Sequence, residues 1–274
     1  MKAPRRATAI RGTVVIVFSV LWAVPTYLLI VNAMTADSDY SGNPRWLPGR
    51  FGLFGNISSG WQAADFGETA RNSLGYSVLC AGAAVLVATL AAFAIVVMPV
   101  KHKSLWFWAI YSGTLLPLQV FARPLFIAAS NTDLYDTQLG LSLVYVAICI
   151  PFAFFVVRNF LTTLPTEVAE AARIDGAGWM RMFLRIHLPL ARPAMAAAFV
   201  FQFVWVWNEL FFGITLSFSP SVQPVMAALA GLQGNFSTVG QPAVLAAALV
   251  VSLPTVLVFL GFQRFFVSSL KTNI

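Results

Sequence analysis

Six long apolar runs alternate with short polar segments along this chain of 274 residues. Each run approaches the length of about 20 residues that an α-helix needs to cross the hydrocarbon core of a bilayer. We therefore predict an all-α integral membrane protein that forms a single domain over residues 1–274. Its six transmembrane helices are predicted at residues 12–34, 72–98, 104–122, 138–157, 194–216 and 243–262.

The basic residues are unevenly distributed among the polar segments between these runs. Thirteen of the 17 Lys and Arg residues lie before residue 12 or in segments 99–103, 158–192 and 264–274. The other four lie in segments 35–71 and 123–137, and segment 217–242 has none. Because basic residues resist translocation, the first set is predicted to be cytoplasmic, with both termini inside, and the second set to face outward.

Composition excludes several classes of protein. With 59% hydrophobic and 10% charged residues, the chain does not have the makeup of a soluble domain. Its net charge of +7 comes from residues at the ends of the apolar runs, which argues against a nucleic-acid partner. Cys80 and Cys149 lie inside apolar runs and are expected to be core residues, whereas His102 and His187 are expected to be solvated.

The longest segment predicted to be cytoplasmic, 158–192, contains a pattern of two short helices, and we call residues 165–189 the elbow. Pro165 suits a helix start, and Gly176 suits a helix end with a positive φ. An apolar face is predicted for the first helix at Val168, Ala171, Ala172 and Ile174, and for the second at Trp179, Met182, Phe183 and Ile186. Pro189 and Pro193 are expected to break the second pattern.

These residues carry a resemblance to a known family. Glu170-Ala171-Ala172, Asp175-Gly176-Ala177 and Ile186-x-Leu188-Pro189 resemble the EAA motif of ABC-importer permeases of the carbohydrate-uptake class. The resemblance is to the second permease of maltose-type and glycerol-phosphate-type importers. It implies that these nine residues form a coupling helix that docks on a separate ATPase subunit. The alternative is an amphipathic loop that lies on the bilayer surface.

The resemblance also implies a set of partners and a place in the cell. A permease of this kind has the type I importer fold and lies in a bacterial or archaeal cytoplasmic membrane. It pairs with a second homologous permease, two nucleotide-binding ATPase subunits and an extracytoplasmic substrate-binding protein. ATP and Mg²⁺ then bind to the ATPase, and this chain binds no cofactor. The solute is expected to be a sugar or a sugar derivative such as a glycerol phosphate.

The sequence offers little that would support an enzyme. It lacks a Gly-x-x-x-x-Gly-Lys-Ser/Thr phosphate loop, a plausible Ser/His/Asp arrangement and paired intramembrane carboxylates. A self-sufficient secondary transporter or channel is the main alternative to a permease subunit. Such a protein usually has several intramembrane ionisable residues, whereas Glu209 is the only acid deep in a predicted span.

Glu209 also leads to a predicted solute path. Gln202, Trp205 and Glu209 recur at helical spacing on the fifth span, and Gln119 on the third span could join them. Trp207-Asn208-Glu209 and Leu116-Pro117-Leu118-Gln119 are further points of resemblance to the carbohydrate permeases. Three roles are open for Glu209: to line the path, to latch the partner permease, or to satisfy a kinked backbone.

Overall fold

The computed structural model describes residues 5–233 and 239–271, with side chains for residues 11–233 and 239–262. The predictions for the remaining residues, including the extreme termini and the side chains of the tail from Gln263 onward, lie outside this range. The described part of the chain is helical, and its one β-bridge joins Thr35 to Phe51. The helices are α1 Arg5–Met34, α2 Leu53–Ala63, α3 Phe66–Val97, α4 Lys103–Tyr111, α5 Gln119–Asn131, α6 Gln138–Leu161, α7 Thr166–Ile174, α8 Trp179–Met182, α9 Leu188–Trp207, α10 Phe211–Leu216, α11 Val225–Gly231 and α12 Gln241–Lys271.

Five helical stretches within the described residues are long and apolar enough to cross a membrane, and a bent pair brings the number to six. The all-α prediction is therefore confirmed. The stretches are Arg11–Met34, Phe66–Val97, Gln138–Leu161, Trp179–Trp207 and Gln241–Phe262, with the pair Lys103–Thr114 and Gln119–Asn131.

The third predicted span, 104–122, is not one helix. α4 ends in a 3₁₀ turn at Ser112–Thr114, and α5 starts at Gln119 after a bend of 92°. Pro117 lies at the bend, where its ring disfavours helical geometry in the preceding residue. α5 then continues to Asn131, so the predicted outer link 123–137 is largely helical.

The fifth predicted span, 194–216, also differs from the structure. A helical stretch starts at Trp179, passes through a π-helical segment at Phe183–His187, and continues as α9 to Trp207. Pro189 and Pro193 do not interrupt it. Pro189 lies directly after the π-helical segment, at the start of α9. The interruption instead falls at residues 208–210, before α10.

The chain divides into two compact units by its internal packing, and the single domain expected from the sequence stays a prediction. The first comprises Met1–Phe66 and Leu229–Leu253. In it the predicted loop 35–71 contains α2, anchored by Asn56, whose Nδ2 donates to the carbonyls of Ala33 (2.9 Å) and Thr35 (2.8 Å). α2 also packs closely on α12, since a Cβ on Gly60 would lie 2.8 Å from the carbonyl oxygen of Ala243.

The second unit comprises Gly67–Ala228 and Pro254–Ile274, and it contains two buried clusters. One cluster joins α3, α6 and α9 to the elbow, and its buried members include six alanines: Ala88, Ala92, Ala153, Ala172, Ala191 and Ala198. The other surrounds Tyr145 on α6, with Cys80 and Cys149 among its members, as expected for core cysteines. Small residues at helix interfaces allow close backbone approach, which is what favours association in lipid.

Asp136, between α5 and α6, clamps the segment that follows α10. Its Oδ1 accepts hydrogen bonds from the backbone N–H groups of Phe218 (2.7 Å) and Ser219 (3.0 Å), and Oδ2 accepts one from the Ser219 hydroxyl. Burial raises the pKa of this carboxyl, but these hydrogen bonds outweigh that effect and leave the pKa below its ordinary value. The start of the predicted outer loop 217–242 is therefore an ordered segment.

We predict that Asp136→Ala loosens this segment. Each lost hydrogen bond to a charged acceptor contributes about 1.5–3 kcal/mol, so the amides of Phe218 and Ser219 should exchange at least ten times faster. Hydrogen–deuterium exchange of the purified protein measures this. In the wild type, folding lowers the pKa of Asp136 below that of the unfolded chain. The protection of the two amides from exchange should therefore be complete above about pH 4, and it should decline as the pH falls through the pKa of Asp136 in the folded protein.

Asp133→Ala is the matched control for this experiment. Asp133 also has a positive φ, of 56° against 53° for Asp136, so both variants lose the same left-handed tolerance. Of the two aspartates, Asp136 is the one that accepts hydrogen bonds from Phe218 and Ser219. Equal acceleration of exchange in the two variants would contradict the clamp.

Candidate functional site

The first helix of the elbow, α7, ends in a Schellman motif. Gly176 has a φ of +74°, as predicted from the sequence. The N–H of Gly176 donates to the carbonyl of Arg173 (3.0 Å), and the N–H of Ala177 donates to that of Ala172 (2.9 Å). A Cβ on Gly176 would meet nothing within 4 Å, so only its backbone conformation requires glycine.

The apolar face predicted for α7 is divided between the core and the surface. Ala172 is buried in the core cluster, and Val168 is half-buried. Ala171 and Ile174 point outward, and Ile174 is 87% exposed. The helix is turned so that Ala169, rather than Ala171, completes the inner face.

The outward surface of the elbow combines apolar and charged side chains, and we call it the elbow tip. Its apolar members are Ala171, Ile174 and Met180, of which Met180 is 65% exposed. Its charged members are Glu167, Glu170, Arg173, Asp175 and Arg181. An exposed apolar surface with a charged rim is typical of a docking surface.

The second half of the elbow is fixed to the core. Met182 and Phe183 are buried. Ile186, Leu188 and Pro189 are half-buried, so they are less accessible to a docking partner than the exposed residues of the elbow tip. The guanidinium of Arg173 lies 5.6 Å from the centre of the Trp179 ring. The two halves of the elbow therefore contact each other as well as the core.

His187 is not solvated, contrary to the sequence-based expectation. It is 5% exposed and lies in the π-helical segment, with its ring centre 5.0 Å from that of Phe93. Its Nδ1 lies 3.4 Å from the carbonyl oxygen of Met182. The helical turn brings His187 to the same side as Met182 and Phe183, which are core residues.

Glu209 lies at the break between α9 and α10 and is 6% exposed. Its Oε1 accepts the N–H of Phe212 (2.9 Å), and Oε2 accepts the N–H of Gly213 (3.1 Å) and the hydroxyl of Tyr145 (2.9 Å). The carboxylate thus caps the start of α10, where backbone donors would otherwise lack acceptors. These contacts are the ones expected if Glu209 satisfies a broken backbone, and its path and latch roles stay predictions.

The other predicted path residues are only partly brought together. Gln202 and Trp205 line a cleft of about 350 Å³ with the bend at Gly113–Leu118. Gln202 is buried, and its Nε2 donates to the carbonyl of Cys149 on α6 (3.0 Å). Gln119 is exposed at the start of α5, and neither it nor Glu209 lines this cleft.

Tyr145 is the residue that sequence reasoning missed. It is fully buried, and besides its bond to Glu209 its ring lies edge-on to Tyr76 (5.7 Å) and Trp205 (6.4 Å). A hydroxyl-bearing side chain in the middle of the apolar run 138–157 was the available signal, because a buried phenol needs a partner.

Within the described residues no cluster of His, Cys, Asp and Glu could hold a metal ion.

Comparisons with known proteins find a matching family and several similar transport proteins. Residues 5–272 match the family described as binding-protein-dependent transport system inner membrane component. The chain is 35% identical to the sn-glycerol-3-phosphate transport system permease protein UgpE of Yersinia pestis bv. Antiqua, over 97% of each chain. It is 32% identical to the diacetylchitobiose uptake system permease protein NgcG of Streptomyces coelicolor, over 95% of this chain and 86% of the relative.

A solved structure has the same fold. It is a bacterial ABC transporter involved in the import of the acidic polysaccharide alginate, with a TM-score of 0.79 and 17% sequence identity. The superposition covers 97% of this chain and 99% of the other. The fold described above therefore matches that of a chain of this transporter.

We predict that Glu209→Ala lowers stability, because it leaves two backbone N–H groups and the Tyr145 hydroxyl without their acceptor. Each buried donor left unsatisfied costs about 1–3 kcal/mol, so the loss should total about 3 kcal/mol or more. Glu209→Gln, which keeps one oxygen, should be intermediate. Thermal unfolding of the purified protein measures both.

The neighbouring Asn208→Ala is the matched control, since Asn208 is exposed and bonds to Val204 and Thr255 instead. Tyr145→Phe should lower the stability of the Glu209→Ala variant by less than it lowers that of the wild type, because the hydrogen bond between Tyr145 and Glu209 is already lost in that variant. Wild-type stability of Glu209→Ala would contradict the capping role.

Proposed function

We infer that this chain, which belongs to the family of binding-protein-dependent transport system inner membrane components, is one permease subunit of an ATP-driven importer. The observation that carries the proposal is the elbow, whose apolar tip is exposed while its inner face is built into the core. The solute is a sugar or a sugar derivative. That class is supported by the named solutes of the relatives, sn-glycerol 3-phosphate and diacetylchitobiose.

The partners of this subunit follow from the same inference. A second homologous permease completes the path, an extracytoplasmic binding protein delivers the solute, and two ATPase subunits bind ATP with Mg²⁺. The elbow tip is the surface that docks on an ATPase. Glu170 and Arg173 on its rim would pair with charges of the partner, and Ala171 would permit close approach.

The packing of the elbow explains how docking would move the spans. A close-packed interior transmits displacement because its side chains have little free volume in which to relax. Ala172, Met182 and Phe183 lie in the cluster that contains Ala153 and Phe154 of α6 and Ala198 of α9. Movement of the tip would therefore displace α6 and α9 and, at the far end of α9, the break capped by Glu209.

The test of this function is uptake by vesicles that contain the purified complex with its ATPase and binding protein. We expect uptake of sn-glycerol 3-phosphate or a disaccharide to require ATP and to survive collapse of the proton gradient. Gly176→Val should reduce uptake and solute-stimulated ATP hydrolysis together. A β-branched residue at this positive φ costs about 1–2 kcal/mol, which reshapes the elbow without a steric clash.

Gly176→Asn is the matched control, because asparagine tolerates the left-handed conformation, and it should remain close to wild type. Normal solute-stimulated hydrolysis in the Gly176→Val complex would remove the coupling role of the elbow. Uptake that follows the proton gradient instead of ATP would favour the secondary transporter.

The proposed orientation places the elbow and both termini in the cytoplasm of a bacterial or archaeal cell. In a background that lacks Cys80 and Cys149, Ser41→Cys should react with a membrane-impermeant maleimide in intact cells. Thr163 is exposed just before the elbow, and Thr163→Cys should react only after the membrane is opened. The reverse pattern would overturn the topology.

A further inference from the structure

A basic cleft lies where α4 begins and α6 ends. It has a volume of about 310 Å³, and its polar lining comes from Lys103, Ser104, Arg158 and Thr162. Two cations and two hydroxyls thus converge on one space. Among the described residues that line it there is no carboxylate.

Arg158 has an unfilled hydrogen-bonding capacity at this cleft. One terminal nitrogen donates to Asn159 Oδ1 (3.1 Å), and the guanidinium lies 4.9 Å from the centre of the Phe107 ring. Its Nε is buried without a hydrogen-bond partner. Because the guanidinium lines the cleft, its remaining N–H groups can donate to an oxygen anion there, with the forked geometry that guanidinium favours.

The first turn of α4 adds further donors. Its N-cap residue, His102, has a φ of 55° and makes no side-chain cap. The backbone N–H groups of the first turn, where Lys103 and Ser104 lie, therefore carry the partial positive charge of an uncapped helix start. Lys103 Nζ bonds to the carbonyl of Val96 (3.0 Å), which fixes its charge at the rim of the cleft.

The residues around the cleft are apolar and aromatic. Its other wall is apolar, formed by Ile95, Val96 and Phe107. Leu105, Trp106 and Trp108 on the same first turns of α4 are exposed. Tryptophan accumulates at the level of the lipid headgroups, so an apolar wall beneath a cationic mouth suits a lipid whose headgroup is anionic.

We propose that this cleft binds the phosphodiester headgroup of an anionic phospholipid, with Arg158 and the start of α4 holding the phosphate. The acyl chains lie along Phe107 and the exposed apolar side chains of α4. The site is separate from the elbow tip and from the cleft at the bend of the third span.

Native mass spectrometry of the intact complex tests the site, with phosphatidylglycerol and phosphatidylcholine of equal chain length as probes. The wild type should bind phosphatidylglycerol more tightly. Arg158→Gln should weaken that preference about fivefold, as expected for one charge near the lipid surface. Lys101→Gln is the matched control, because it removes one positive charge from the turn before α4, outside the cleft, and it should bind as the wild type does.

Ser104→Glu keeps the test valid if Arg158→Gln fails to fold. A carboxylate in the first turn is favourable for α4 but repels an anion, so this variant should be stable and show no phosphatidylglycerol preference, whereas Ser104→Gln should keep most of it. Equal binding of the two lipids to the wild type, or equal losses in Arg158→Gln and Lys101→Gln, would overturn the proposal. Displacement of phosphatidylglycerol by inorganic phosphate alone would assign the site to free phosphate instead.

Discussion

The constraint on which this structure depends is that a backbone inside a bilayer finds no water to bond its polar groups. Continuous helices meet it by themselves, but two spans here are broken. At the first break the hydroxyls of Ser112 and Thr114 bond to the carbonyls of Ala109 (2.9 Å) and Tyr111 (2.8 Å) at the end of α4. At the second, the Glu209 carboxylate accepts the first donors of α10, and Tyr145 holds that carboxylate in place. Each interruption of a helix therefore requires a particular polar side chain.

The same constraint explains where polarity is found in the second unit. Gln202 joins α9 to α6 through the carbonyl of Cys149, and Asn72 donates to the carbonyls of Pro220 (2.9 Å) and Gln223 (3.2 Å) beyond α10. These side chains bond to backbone atoms of other elements, so they determine which helices lie side by side. Many of the apolar contacts around them are formed by small residues. Such residues allow two helices to approach closely, but they do little to determine which helices pair or how they are oriented.

The elbow has the opposite organisation, with its polar residues outward and its apolar residues divided. Ala172, Met182 and Phe183 hold it on the core, while Ile174 and Met180 remain exposed. Burying Ile174 on the core as well would have been favourable for the isolated chain. An exposed apolar side chain of this kind is what the proposed docking of the elbow tip on an ATPase subunit would cover.

The sequence by itself determined the helical class, the positions of the apolar stretches and the local geometry of Gly176, because hydrophobic periodicity and glycine's left-handed tolerance are local properties. It also carried the family resemblance, since the elbow motif lies in consecutive residues. Only the tertiary structure decided that Ala171 points outward, that His187 is buried against Phe93, and that α9 continues through Pro189 and Pro193. It also revealed the hydrogen-bond partners of Glu209, among them Tyr145, which is 64 positions away. Contacts between distant residues depend on how helices pack, and packing among apolar helices leaves no periodic mark in the sequence.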